Sequence, residues 1–258
     1  MVKFVKEPNI PSGNVRAVLI GRRYADILAE PLAALGVQAI AVDGGEGLDS
    51  RVSEHADMLA HHLGGEDWIA CESAANALQT VENIRIVPAN IRFSATYPDD
   101  IALNVLRLGD CAYGRFDAAC SALLEHLSNR EVEQVSVKQG YAKCSVCVVD
   151  RAAAITSDAG LAEAMRSRGV DVLEIAAGGV QLDGYDSGFI GGASGLIAPD
   201  KLAFTGRLDS LSLPLWNLCS TRNKDGSADG EPYHDKRHKF QDVLTEYYKE
   251  RLYHKLLL

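Results

Sequence analysis

The sequence predicts an α/β protein made of five similar units of strand, turn, strand, helix, strand, the last of them atypical. Three observations carry this. A strand–turn–strand pattern recurs four times, at spacings of roughly 45 residues, the mark of a repeat architecture. Within the repeats a helical pattern and a further strand follow in fixed order with short joins, as in α/β units. A chain of 258 residues with 47% hydrophobic content is long and apolar enough for one sizeable core.

The elements follow in order. Residues 1–13 read as a loose arm ending in a Pro-Ser-Gly turn. Val15 to Gly21 is a short apolar strand. Tyr24 to Leu35 has helical spacing, with Ile27, Leu28, Leu32 and Leu35 on one face and Pro31 as an imperfection. Gly36 ends that helix, and Val37 to Val42 is the next strand. The second unit reads as a strand over His55 to Leu63, a Gly-Gly-Glu-Asp turn, and a strand over Trp68 to Cys71. A helix from Ser73 and a strand over Ile84 to Pro88 complete it. The third has strands over Ile101 to Leu108 and Cys111 to Gly114, a helix over Phe116 to Leu127 and a strand over Val132 to Val137. The fourth repeats this with strands over Lys143 to Val149 and Ala153 to Thr156. Its helix, capped by Ser157, runs to Arg168, and Val170 to Ile175 is its last strand. The fifth begins with strands over Phe189 to Ile197 and Leu202 to Thr205.

Gly184 to Leu196 holds five glycines in thirteen residues, with Tyr185, Asp186 and Ser194 among them. Glycine at this density belongs where backbone must approach something closely. A packed strand, the lining of a small-molecule site and a tight strand end all fit.

The motifs HADM at 55–58, LNV at 103–105, VKQGYAKCSVCVVD at 137–150 and GYDSGFIGGASG at 184–195, with the fivefold ββαβ order, resemble the pentein superfamily. These are α/β-propeller enzymes that modify guanidines: arginine and agmatine deiminases, dimethylarginine hydrolases and amidinotransferases. More closely, the motifs resemble an uncharacterised bacterial family of that fold. The resemblance covers roughly residues 15 to 209 and implies one pentein-like domain over 1–209. It also implies a guanidine-modifying type of enzyme, hydrolase, deiminase or amidinotransferase-like, acting on a small amino-acid-like substrate in a central pocket. The superfamily's chemistry uses a cysteine thiolate, a histidine acid/base and carboxylates that grip the guanidinium. A thiolate of lowered pKa is a good nucleophile, and carboxylates match the planar guanidinium donors. The usual cysteine lies in a glycine-rich segment of the last unit. Here that segment, Gly191 to Gly195, carries Ser194 and no cysteine. The alternative reading is therefore a non-catalytic small-molecule-binding protein that keeps the pocket.

Cys144 is the preferred nucleophile, because Lys138 and Lys143 stand near it in sequence and lysine charge stabilises a thiolate. Asp57 and Ser194 complete the catalytic candidates. Asn104, Lys138, Lys143 and Asp186 are the candidate substrate-binding residues. Cys144 and Cys147 form a lone C-x-x-C, but on a strand they would face opposite ways. His55, Asp57, His61 and His62 are dense in metal-capable groups. On a strand, three such ligands would spread over ~20 Å, too far for one ion. The sequence thus assigns neither metal nor cofactor.

The net charge of −9 and pI of about 5.3 argue against nucleic acid or an anionic membrane as partner. No apolar run reaches the ~20 residues of a membrane span, and no signal peptide is visible. Six cysteines without framework spacing fit a reduced, cytoplasmic protein. Residues 210–258 read as a C-terminal extension or remodelled fifth unit. A helical pattern over Lys236 to Leu258 there suits homo-oligomer formation.

Overall fold

The structure, a computed structural model, describes residues 4–180, 182 and 184–205. The extension over 210–258, its helix and its oligomer role lie outside the described residues. The described chain is a mixed α/β assembly of five small sheets, none of which closes on itself.

The first sheet pairs β1 (Ala17–Gly21) parallel to β2 (Gln38–Val42) through α1 (Arg22–Ala34). Gly36, at φ +74°, ends α1 in a left-handed conformation that favours glycine. Gly36 N–H donates to Ala33 O at 2.9 Å and Val37 N–H to Leu32 O at 2.8 Å, the Schellman closure. Leu32 and Val37 then pack together with Val18, Ile20 and Leu28.

The next three sheets share one plan. In the second unit β3 (Ala60–Gly64) runs antiparallel to β4 (Asp67–Ala70), and α3 (Glu72–Leu78) returns the chain to β5 (Arg85–Pro88), parallel to β4. The third repeats this with β6 (Leu106–Leu108), β7 (Cys111–Gly114), α4 (Ser121–Asn129) and β8 (Glu133–Ser136). The fourth uses β9 (Val146–Asp150), β10 (Ala153–Thr156), α6 (Ala159–Arg166) and β11 (Asp171–Glu174). The last hairpin is β12 (Ser194–Ala198) with β13 (Lys201–Phe204). It touches the beginning of the chain. Val15 N–H donates to Ile197 O at 2.8 Å, and Ala203 packs on the Val18–Ile20 cluster.

The expected long first strand of each repeat is shorter than its apolar run. In its place stands a short turn, then a strand. Residues 55–63 form α2 (Ala56–Leu59) before β3, and residues 143–149 form the end of α5 (Ala142–Ser145) before β9. Residues 101–105 make a turn closed by Asn104 N–H on Ile101 O, and Gly191–Ala193 form a single 3-10 turn before β12. The N-caps also shift. Cys71, not Ser73, precedes α3, and Asp158, not Ser157, caps α6 by accepting from Leu161 N–H at 2.8 Å. The arm is anchored rather than loose. Gly65 N–H donates to Val5 O, Asn9 Nδ2 to Arg107 O, and Glu7 pairs with Arg151.

Apolar clusters bridge neighbouring units. One joins Leu106, Tyr113, Val146, Ala154, Leu161 and Leu196, from the third, fourth and fifth. Among the described residues no helix is long and apolar enough to cross a membrane.

Candidate active site

The four short turns meet one another, and their meeting builds the site. Asp57 comes from α2, Asn104 from the 101–105 turn, Cys144 from α5, and Gly191 from the 3-10 turn. In each repeat the chain must switch from a turn to a buried strand. Apolar side chains of α2 pack on the unit's own helix, at Ala74 and Leu78, while Asp57, Asn104 and Cys144 reach one another across units.

The Cys144 thiol donates to Asp57 Oδ2 at 2.7 Å. Asn104 holds the Cys144 turn by three hydrogen bonds, one of them to the sulfur. Its Oδ1 accepts Lys143 N–H at 2.9 Å and Cys144 N–H at 3.2 Å, and its Nδ2 donates to Cys144 Sγ at 3.1 Å. Nδ2 also contacts Met58 Sδ at 3.3 Å. A buried amide so engaged is a rigid strut, since each bond lost would strand a buried polar group. Cys144 and Asn104 are each 1% exposed and Asp57 is 7% exposed. Asp57 Oδ1 is buried with no hydrogen-bond partner.

His55, also buried, brings a ring nitrogen within 4.8 Å of the Asp57 carboxylate and the Cys144 sulfur. A thiol, a carboxylate and an imidazole thus share one buried locus. Such a locus can activate a thiol, since it holds a proton acceptor at the sulfur, an N–H donor to it and a second acid/base group within reach.

Gly191 explains the glycine-rich segment. A Cβ there would lie 2.7 Å from the Cys144 carbonyl oxygen and closer still to those of Lys143 and Val146. The segment supports the Cys144 turn by direct backbone contact. Ser194 is buried, and its hydroxyl donates to Ile190 O at 2.7 Å. That bond ties the 3-10 turn to β12 and occupies the Ser194 proton.

The other sequence candidates are placed as follows. Lys143 lines a cavity of about 50 Å³ together with Asp57, His61, Trp68 and Asn9. Lys138 is exposed on a bend, and its carbonyl accepts from Tyr97 OH at 3.3 Å. Asp186 is exposed on a bend. Asn104 spends its side chain within the protein, as scaffold for Cys144. Cys144 and Cys147 do not share a strand, because Cys144 is on α5 and Cys147 on β9. His55 and Asp57 are not spread along a strand either, since they flank the first step of α2. His61 is on β3, where its Nδ1–H donates to Leu103 O at 3.2 Å. Burial lowers the His61 pKa to about 3, so the ring is neutral.

Two residues were not singled out from the sequence. Tyr141 OH donates to the carboxylate of Asp100 in a very short hydrogen bond, and Asp100 is 3% exposed. Asp100 Oδ1 is buried without a partner. Burial, then the bond to Asp100, pushes the Tyr141 pKa up. The Tyr141 ring lies 5.9 Å from that of Tyr97 and 5.2 Å from that of Phe189, in the glycine-rich segment. An acid in the apolar surroundings of Ile101 was the one signal available in sequence. Its tyrosine partner is 41 residues away.

Fold and site together define a mixed α/β repeat protein with a buried cysteine–carboxylate centre. The chain belongs to the group described as "Family of unknown function (DUF6873)", which matches residues 19–214. No curated protein matches the sequence. The chain is similar to a dimethylarginine dimethylaminohydrolase in adduct with 4-chloro-2-hydroxymethylpyridine, at 9% identity and a TM-score of 0.46, over 79% of this chain and 89% of that one. It is similar to DDAH from Pseudomonas aeruginosa, a cysteine-to-serine mutant complexed with citrulline, at 11% identity and a TM-score of 0.47, over 89% and 95%. It is also similar to a C. jejuni agmatine deiminase, at 9% identity and a TM-score of 0.41, over 78% and 81%. All three are members of the pentein superfamily.

Proposed function

We propose that this protein is a thiol-dependent enzyme of the guanidine-modifying type, with Cys144 as nucleophile and Asp57 as its base. One observation carries the reading: the 2.7 Å bond from the Cys144 thiol to Asp57 Oδ2, steadied by Asn104. In this mechanism Asp57 takes the thiol proton as the sulfur attacks a guanidine carbon. The Asn104 N–H offsets the charge on sulfur. His55 hands a proton to the departing amine, leaving a thiouronium on Cys144. His55, now neutral, takes a proton from the attacking water, a ureido product is released, and Asp57 returns its proton to the sulfur. An amine in place of water makes the enzyme an amidinotransferase. Asp57 and Lys143 line the small cavity, and the Asp100 carboxylate, bonded to Tyr141, suits a cationic group.

The five units succeed one another around these turns, and the last hairpin contacts the first strand. This supports a propeller arrangement with the site at its centre. Among the described residues no two cysteines form a disulfide, which supports a reducing compartment such as the cytoplasm. The alternative, a non-catalytic binder of small amino-acid-like molecules, is favoured by one observation: Cys144 is only 1% exposed.

The test is turnover. Purified protein is incubated with arginine, its methylated forms, agmatine and other guanidino compounds, and ammonia, amine and ureido products are measured. The enzyme reading expects turnover of at least one compound, abolished in Cys144→Ser. Binding of such a compound without turnover, equal in wild type and Cys144→Ser, sinks it in favour of the binder.

A further inference from the structure

We propose that His55, Asp57 and Cys144 form a site for one thiophilic divalent cation, of which zinc is the type. The three supply one nitrogen, one oxygen and one sulfur, and the ligand atoms lie within 4.8 Å of one another. Zinc takes this donor set, with bonds of about 2.0–2.3 Å, which in a tetrahedron sets the donor atoms about 3.3–3.7 Å apart. Cys144 Sγ and Asp57 Oδ2, now 2.7 Å apart, separate by about 1 Å once the proton between them is gone. Small rotamer adjustments of His55 and Asp57 supply the rest, because α2 is one short turn.

Two further features point to a cation. Asp57 Oδ1 is buried without a hydrogen-bond partner, so the carboxylate has unused acceptor capacity inside the site. Asn104 Nδ2 donates to the sulfur, the outer-shell contact that stabilises a coordinated thiolate. The donor set also selects the metal. Calcium and magnesium require more oxygen ligands than this locus offers, whereas a thiolate and an imidazole suit zinc, cobalt or nickel. Three protein ligands leave a fourth position for water or a small molecule. Binding is proton-balanced: the cation displaces the Cys144 thiol proton, which leaves to solvent, and no electron is transferred.

This inference uses the same atoms as the proposed nucleophile but does not need the enzyme reading. Cation and electrophile compete for one sulfur, so the metal-free and metal-bound forms differ in thiol reactivity.

Metal-free protein is titrated with Co²⁺ alone. The expected result is saturation at one equivalent, with a thiolate-to-cobalt charge-transfer band, intense tetrahedral visible bands and release of one proton per ion. Both Cys144→Ala and Cys144→Ser should lose the charge-transfer band. His55→Ala and Asp57→Asn should weaken binding at least ~10-fold. Thermal melting without metal checks that each variant is folded. If Cys144→Ala does not fold, Cys144→Ser, which keeps the side chain's size, decides. No charge-transfer band in wild type, or an unchanged titration in a folded Cys144 variant, overturns the proposal. The readings separate by a second measurement, alkylation of metal-free protein in chelator. Fast alkylation without cobalt binding leaves the nucleophile and removes the cation site. Cobalt binding with an inert metal-free thiol does the reverse.

Discussion

Replacing Asn104 should damage stability and chemistry separately, by amounts the structure sets. Asn104→Ala removes the acceptor of two buried backbone groups, Lys143 N–H and Cys144 N–H, and the donor to Cys144 Sγ. Each stranded buried amide costs about 1–3 kcal/mol, so the two cost about 2–6 kcal/mol. That is a large share of the ~5–15 kcal/mol that holds a domain together. Asn104→Asp is different. It keeps an acceptor for both amides but replaces the donor at sulfur with a second carboxylate beside Asp57. It should lose less stability, yet disfavour the thiolate by like-charge repulsion. The assays are urea unfolding at constant m-value and the rate of Cys144 alkylation against pH. The strut argument is refuted if Asn104→Ala lies within about 0.5 kcal/mol of wild type, the range of an ordinary surface change. It is refuted too if Asn104→Asp alkylates as fast as wild type at neutral pH.

Other outcomes follow from particular contacts. Gly191→Ala drives a methyl group into three backbone carbonyls of the Cys144 turn and should cost about 1–3 kcal/mol or more, with lower Cys144 reactivity in the folded fraction, read by denaturation and alkylation. His61 stays neutral in the fold down to about pH 3, while the unfolded chain takes a proton near the ordinary 6.5. The unfolded state therefore binds more protons in that window, and stability falls as pH drops through it, by up to about 1.4 kcal/mol per pH unit from this residue. Urea unfolding at pH 6, 5 and 4 should show a shallower pH dependence in His61→Asn. Arg51 donates to Gly184 O at 2.8 Å and stacks 4.5 Å over the Tyr185 ring. Arg51→Ala should speed amide hydrogen exchange around Gly184–Ile190 while leaving the α3 amides unchanged.

The sheets were legible because their signals are local. The hairpins, the parallel return strands and the end of α1 at Gly36 all follow from periodicity and turn chemistry within a few residues. The short turns were not. Four residues are too few to show a 3.6-residue period, so Ala56–Leu59 and Ala142–Ser145 merge into the apolar strands that follow them. That merging misdirected the chemistry at two places. It put Cys144 on a strand face, and it spread His55 and Asp57 along an extended chain where a helical turn gathers them. Asp57, Asn104 and Cys144 could each be singled out, as a carboxylate, an amide and a thiol in apolar runs. Their association could not be read. Asp57 and Cys144 are 87 residues apart and Asn104 and Cys144 are 40 apart, with no local pattern to join them. The glycine-rich segment left several readings open; at Gly191 it packs closely on backbone, that of the Cys144 turn.

The most direct test compares alkylation rates at individual cysteines, resolved by mass spectrometry near neutral pH. Cys111 is the internal reference. It is more exposed than Cys144, yet what burial it has raises its pKa. If Asp57 activates Cys144, Cys144 reacts faster than Cys111 despite its burial, and Asp57→Asn slows Cys144 at least ~10-fold while Cys111 is unchanged. If exposure alone sets the order, with Cys111 ahead and Asp57→Asn without effect at Cys144, the nucleophile is gone and with it the enzyme reading.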